Sequence, residues 1–211
     1  MVSPAPGQPA PAASPAKRDS EATRQRLIRA ALELYTEAGF RGTTTPMLAQ
    51  RAGVAEGTIY RHFTSKEHLL NEAYRGVQRW GSRLVREAEE HRGDTPSERL
   101  ARVAHQLFEA AERDPAVLRM LFYTSQDPFL DERSRDAGRE FRGAIQQIVA
   151  MGKSDGLVRA GPADLWSSLW LGLLEFMVQR ICTREWTASH PQVALALEAA
   201  WDAIAEHGEH K

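Results

Sequence analysis

Between Ala55 and Lys66 the chain reads AEGTIYRHFTSK, a run that gathers hydrogen-bonding and charged groups into one short stretch. Thr58, Tyr60 and His62 each carry a donor suited to phosphate oxygens, and Gly57 lets a backbone approach another surface closely. Arg61 can reach either a phosphate or a guanine edge, and Glu56 can accept from a cytosine amino group. Ser65-Lys66 opens a further helix, where free N–H groups, the helix dipole and the lysine charge together attract an anion. Taken singly, Tyr60 and His62 read as packing residues and Lys66-Glu67 as a solvated helix start. The ordered set points to the grooves and backbone of duplex DNA.

A helix over residues 55–63 buries too little to be stable alone, so its neighbours must hold it. The first helix is expected from an N-cap at Asp19 or Ser20, with Leu27, Ile28, Ala31, Leu34, Tyr35 and Ala38 on one stripe and Gly39 as its stop. Thr44 caps a second, short helix that tolerates Pro46 in its first turn and ends at Gly53. Ala49 and Ala52 allow a close crossing, and Leu48, Val54 and Ile59 face inward; this is helix-turn-helix spacing.

The segment GFRGTTTPMLAQRAGVAEGTIYRHFTSKEHLL, residues 39–70, closely resembles the DNA-binding signature of the tetracycline-repressor (TetR) family of transcription regulators. That resemblance implies a homodimer whose recognition helices, here residues 55–62, enter successive major grooves of a palindromic operator. It also implies phosphate contacts at Thr44, Thr58, Tyr60, His62 and Lys66, and positions near bases at Ala55, Glu56, Gly57, Thr58 and Arg61. Ala55 stands where the family usually has Ser, and Pro46 is less usual in the second helix. Both departures leave the operator sequence open.

The bulk properties agree with this picture. Residues 17–68 carry nine Lys/Arg against six Asp/Glu, while the remainder is net acidic, which fits an anion-facing first module. The lone Cys182 excludes an intramolecular disulfide and suits a reducing compartment. No apolar run is long enough for a membrane span, and the uncharged, proline-rich N-terminus reads as a disordered tail over residues 1–18. A cytoplasmic location is expected. No HExxH, no phosphate-cradling glycine loop and no G-x-S-x-G elbow occurs, so no enzyme and no cofactor is expected.

Everything after residue 65 also reads as helix: a long fourth helix, then segments near 95–113, 115–125, 128–153, 162–184 and 191–207. The expected fold is all-α with about nine helices, a three-helix DNA-binding domain over residues 19–68 and an effector-binding and dimerisation domain over 69–211. For dimerisation, Ser168 and Gly172 permit close approach of a partner helix, and Val193, Leu197, Trp201 and Ile204 form one face of the last helix. For a ligand pocket, the central helices offer His105, Phe108, Phe122, Tyr123, Phe141, Trp166, Trp170, Leu173 and Met177. Such stripes pack cores as well as line cavities. Glu175, a carboxylate inside an apolar helix, is the oddity: a ligand anchor, a dimer-face hydrogen bonder or a solvent-facing residue.

The expected function is a repressor released by a small, apolar effector. The alternatives are a ligand-independent regulator whose second domain serves dimerisation or a protein partner, and an activator. Arg180 and Arg184 beside Cys182 also raise a redox-sensing variant, against simple packing of the thiol.

Overall fold

The computed structural model describes residues 15–91, 93–123 and 128–207. These form α1 (Pro15–Gly42), α2 (Thr45–Ala52), α3 (Glu56–His62), α4 (Lys66–Glu89), α5 (Pro96–Arg113), α6 (Pro115–Leu121), α7 (Glu132–Ser154), α8 (Ala163–Cys182) and α9 (Pro191–Asp202). Among the described residues there is no strand beyond one isolated antiparallel bridge, Val158 to Ala205. None of their helices is long and apolar enough to cross a membrane.

Local chemistry explains the boundaries. Thr44 sits in extended conformation and its Oγ1 accepts the Met47 N–H at 3.4 Å, while Gly53 takes the left-handed conformation (φ 64°) that closes α2. Ser65 Oγ accepts the His68 N–H at 3.1 Å and starts α4. Thr95 and Glu98 cap α5 reciprocally, at 2.7 and 3.3 Å. Gly39 breaks α1 with φ 70°, and the chain adds only residues 40–42 before the turn to α2.

Several boundaries differ from expectation. Residues 1–14 of the expected tail lie outside the described residues, but residues 15–18 are helical rather than disordered. Pro15 suits a first turn and nothing between it and Asp19 breaks a helix, so α1 starts ahead of the expected caps. The segment after Pro128 stays irregular until Asp131, whose Oδ1 accepts the Ser134 N–H at 2.8 Å and so caps α7. Asn71 holds that lead-in by donating to Phe129 O at 2.9 Å and accepting the Asp131 N–H at 2.8 Å. At the other end α9 stops at Asp202, because the chain turns and pairs with residues 157–159 through Arg159 N–H to Ile204 O and Glu206 N–H to Leu157 O.

The core is organised around α4, whose Leu69, Leu70, Ala73 and Tyr74 are buried. It packs against α1 on one side and α7 on another. One close approach is at Gly81, where a Cβ would stand 2.8 Å from Leu121 Cδ1 and 3.0 Å from Phe141 Cδ2. Beside it the buried Gln78 Nε2 donates to Leu121 O at 2.9 Å, so α6 is seated directly on α4. An ionic chain runs from Arg24 on α1 through Glu72 and Arg75 on α4 to Asp131 at the head of α7. Arg29 pairs with Asp114, which explains why that residue heads α6 without capping it.

Candidate nucleic-acid interface

Three buried side chains fix the short helix α3: Leu48 of α2, Ile59 of α3 itself and Phe63 after it, all 2 % exposed or less. Ala49 and Ala52 are buried at the crossing as expected. What α3 turns outward is Ala55, Glu56, Gly57, Tyr60 and Arg61, with Thr58 and His62 half-buried at the edge. Tyr60 is 59 % exposed. A Cβ on Gly57 would meet nothing within 4 Å, so no part of its own chain requires glycine there. Ala55 is the N-cap of α3 and provides no side-chain hydrogen bond, although its carbonyl accepts the Thr58 N–H at 2.9 Å. Thr44 is exposed alongside them.

Lys66, expected to contact phosphate, is also used within the protein. Its Nζ donates to Phe40 O at 3.0 Å and Thr43 O at 2.8 Å and lies 4.1 Å from the Phe40 ring centroid. Tyr35 Oη donates to Lys66 O at 3.0 Å, so the residue clamps the head of α4 to the α1–α2 turn. The basic excess of this region is likewise partly used up. Arg51 pairs with Glu33 and Glu37 at 2.9 and 3.0 Å, and Arg24 and Arg29 pair with Glu72 and with Glu33 and Asp114. Arg61 has no hydrogen-bond or ionic partner among the described residues and is the guanidinium α3 offers outward.

The pocket candidates separate into groups. Phe122, Tyr123, Phe141 and Glu175 line one cleft of about 410 Å³ between α6, α7 and α8, with Leu121, Arg142, Ser168 and Leu171. A second, of about 230 Å³, adjoins it through Phe122, Tyr123 and Glu175 and adds Arg119 and Gln179. A third, of about 440 Å³, opens on the outer face of α8 around Gly172, Glu175 and Phe176. His105 and Trp170 instead line a groove against α9 with Leu197 and Trp201. Phe108 and Met177 are fully buried core residues, Trp166 packs on Gly161 under Arg159, and Leu173 lines none of these clefts.

The expected dimer face on α9 needs correction. Val193 on α9 and Ile204 in the turn after it are 1 % and 0 % exposed within the protomer, so these two face its own core, where α9 packs on α5 and α8, while Leu197 and Trp201 are half-buried. The exposed residues are Leu195 on the opposite side of α9 and Leu165, Leu169 and Phe176 on α8, in line with the exposed Ser168 and Gly172. An α8 apolar all round carries no phase, and α9 has two apolar faces, of which Leu195 marks the outer one. Cys182 is buried, and burial pushes its thiol up while Arg119 and Arg184 oppose this only in part. That is the reverse of a reactive thiolate.

Comparisons with known proteins agree with the geometry. The model for bacterial regulatory proteins of the tetR family matches residues 27–73. The transcriptional repressor KstR of Mycolicibacterium smegmatis is 30 % identical over 162 residues, covering 74 % of this chain and 78 % of the relative. KstR of Rhodococcus jostii is 36 % identical over 92 residues, 44 % of this chain, and there the chain spans only 42 % of the relative. A TetR family transcription regulator from Marinobacter aquaeolei VT8 superposes with a TM-score of 0.78 over 90 % of this chain and all of that one; at 22 % identity it speaks for the fold alone. With its helix-turn-helix head, its all-helical body and a repressor relative matched along most of both chains, the chain belongs to the TetR family of transcription regulators.

Proposed function

We propose that the chain is a repressor that binds a palindromic operator as a homodimer and lets go when a small effector enters the cleft between α6, α7 and α8. The outward face of α3 is the main support: Gly57, Tyr60 and Arg61 are exposed and unused by the protein, on a helix locked from behind. The DNA-binding domain comprises residues 19–68 extended back to Pro15, and residues 69–211 bind effector and partner. Relatives named as transcriptional repressors favour repression over activation. A DNA target implies a cytoplasmic protein.

The dimer forms on α8 and α9. Leu165, Leu169, Phe176 and Leu195 are 41–65 % exposed on one protomer, and leaving such surface in water costs ~25 cal/mol per Å². Release runs through α4, which begins at the reader and carries Gly81 against two residues of the cleft wall, Leu121 and Phe141. An effector that prefers the released arrangement by ~1.4 kcal/mol weakens operator binding tenfold.

Selection from a random duplex library tests this. The expected product is a palindrome whose affinity falls with salt and falls about tenfold or more for Tyr60→Ala, with unfolding temperature unchanged. A folded, ligand-free protein that recovers no specific site overturns the reading.

A further inference from the structure

Glu175 is the one side chain common to all three clefts around α8. It is half-buried, and among the described residues its carboxylate accepts no hydrogen bond and joins no ion pair. Burial raises its pKa. The three guanidiniums in the walls of these clefts are turned to other tasks, and Arg180 pairs with Glu185. Arg119 donates to Cys182 O at 3.3 Å, and Arg142 lies beside Gly138 and the Tyr74 hydroxyl. Phe122, Tyr123 and Phe141 line the same cleft. An anion half removed from water in a cleft lined by aromatic rings is what a cation seeks, through a charge-assisted hydrogen bond and the ring faces.

The geometry points to an effector that is an apolar molecule bearing one cationic nitrogen, its apolar part against Phe122, Phe141 and Leu171 and its nitrogen on the Glu175 carboxylate. This rests on the cleft between α6, α7 and α8 being the effector site. An anionic amphiphile places its charge beside Glu175 and is disfavoured there, and a neutral one leaves the carboxylate unserved.

Decylamine, decanol and decanoate share one chain and differ only in head group. Their affinities for the full chain are measured by calorimetry, alongside release of the selected operator. Decylamine is expected to bind at least tenfold more tightly than decanol, decanoate more weakly than either, and Glu175→Gln to remove the amine's advantage over the alcohol. Tighter binding of decanoate, or an amine-to-alcohol ratio unchanged by Glu175→Gln, overturns the proposal while the effector cleft itself stands. No binding by any of the three to a folded, operator-binding protein removes the cleft as effector site, and the proposal with it. Sedimentation of the variant covers the remaining case: a dimer weakened by Glu175→Gln assigns the carboxylate to the partner contact and also overturns the proposal.

Discussion

The outward face of α3 and the cleft around Glu175 both consist of side chains that their own chain leaves unserved, yet they are held in opposite ways. The reader is local: residues 44–66 contain its cap, its turn, its pinning side chains and its clamp. The cleft is assembled from α6, α7 and α8, so its walls come from residues as far apart as 118 and 179. A local device can be damaged at one residue without disturbing the fold. A cleft shared among helices cannot be reshaped without loading the core behind it. Between them lies α4, the only element that begins in the first region and backs the second at Gly81.

The largest effect is expected at Lys66, where reader and scaffold meet. Lys66→Met keeps the apolar stem but strips two partly buried carbonyls, Phe40 O and Thr43 O, of their donor. Losing charge-assisted bonds of this kind costs about 2 kcal/mol, or a drop of about 4–8 °C in unfolding temperature by circular dichroism. Arg61→Ala, one helix away, should weaken operator binding and leave that temperature alone. A Lys66→Met protein with normal unfolding and poor DNA binding would return the lysine to the phosphates and erase the distinction.

Next comes the joint itself. Gly81→Ala drives a methyl into the buried Leu121 and Phe141, an overpacking worth about 1–2 kcal/mol, and should change operator affinity without any ligand. Gly76→Ala on the same helix meets nothing within 4 Å and should instead stabilise by about 0.5–1 kcal/mol. Equal operator affinities for the two variants would show that the cleft wall and the reader are not coupled through α4.

The same contrast decides what the sequence revealed. The reader could be read residue by residue because each feature has a local cause: a threonine cap at Thr44, a left-handed Gly53, a buried Ile59 between exposed neighbours. The fold class and most helix starts follow from similarly local signals such as the Thr44 cap and the Ser65-Lys66 start of α4. The clamp made by Lys66 was not legible, because its partners, Phe40 O and Thr43 O, are backbone atoms that spacing does not reveal. Val193 misled because both faces of α9 are apolar and only packing decides which one turns inward, and Ile204 because it lies past the end of α9, where the chain turns back on residues 157–159. Of the aromatic stripe, Phe122, Tyr123 and Phe141 reached the cleft while Phe108 and Met177 filled the core, a choice set by helix rotation that periodicity leaves undetermined.

A smaller effect tests the reader alone. Ala55 caps α3 in extended conformation (φ −71°, ψ 146°) without a side-chain acceptor. Ala55→Ser supplies a side-chain acceptor for the Gly57 and Thr58 N–H groups, beside the Ala55 O that already takes the Thr58 N–H at 2.9 Å, and should stabilise by about 0.5–1 kcal/mol, seen as a shifted denaturant midpoint. A null result would mean that those donors are already satisfied by water at no cost.

The smallest effect probes the cleft alone and has a defined sign with pH. Glu175 has its pKa raised by burial, so in the folded protein its ionised form is the disfavoured one. Glu175→Gln should therefore raise the unfolding temperature near neutrality, by about 1–2 °C. The gain should shrink as pH falls through the raised pKa, since below it the wild-type carboxyl is neutral as well. Glu72 supplies the opposite case. Burial works to raise its pKa too, but hydrogen bonds from Arg75 and Arg24 outweigh that and hold it below the ordinary value. Its contribution is present above the unfolded carboxylate range and is lost as pH falls through the lowered value, so Glu72→Gln should destabilise at neutrality and become harmless in acid. Two glutamates on different helices with opposite pH signatures would separate a carboxylate that holds the scaffold from one left for something else. If Glu175→Gln instead lowers the unfolding temperature at neutral pH, the carboxylate already has a partner within the protein, and the cleft has no vacancy for a cation to fill.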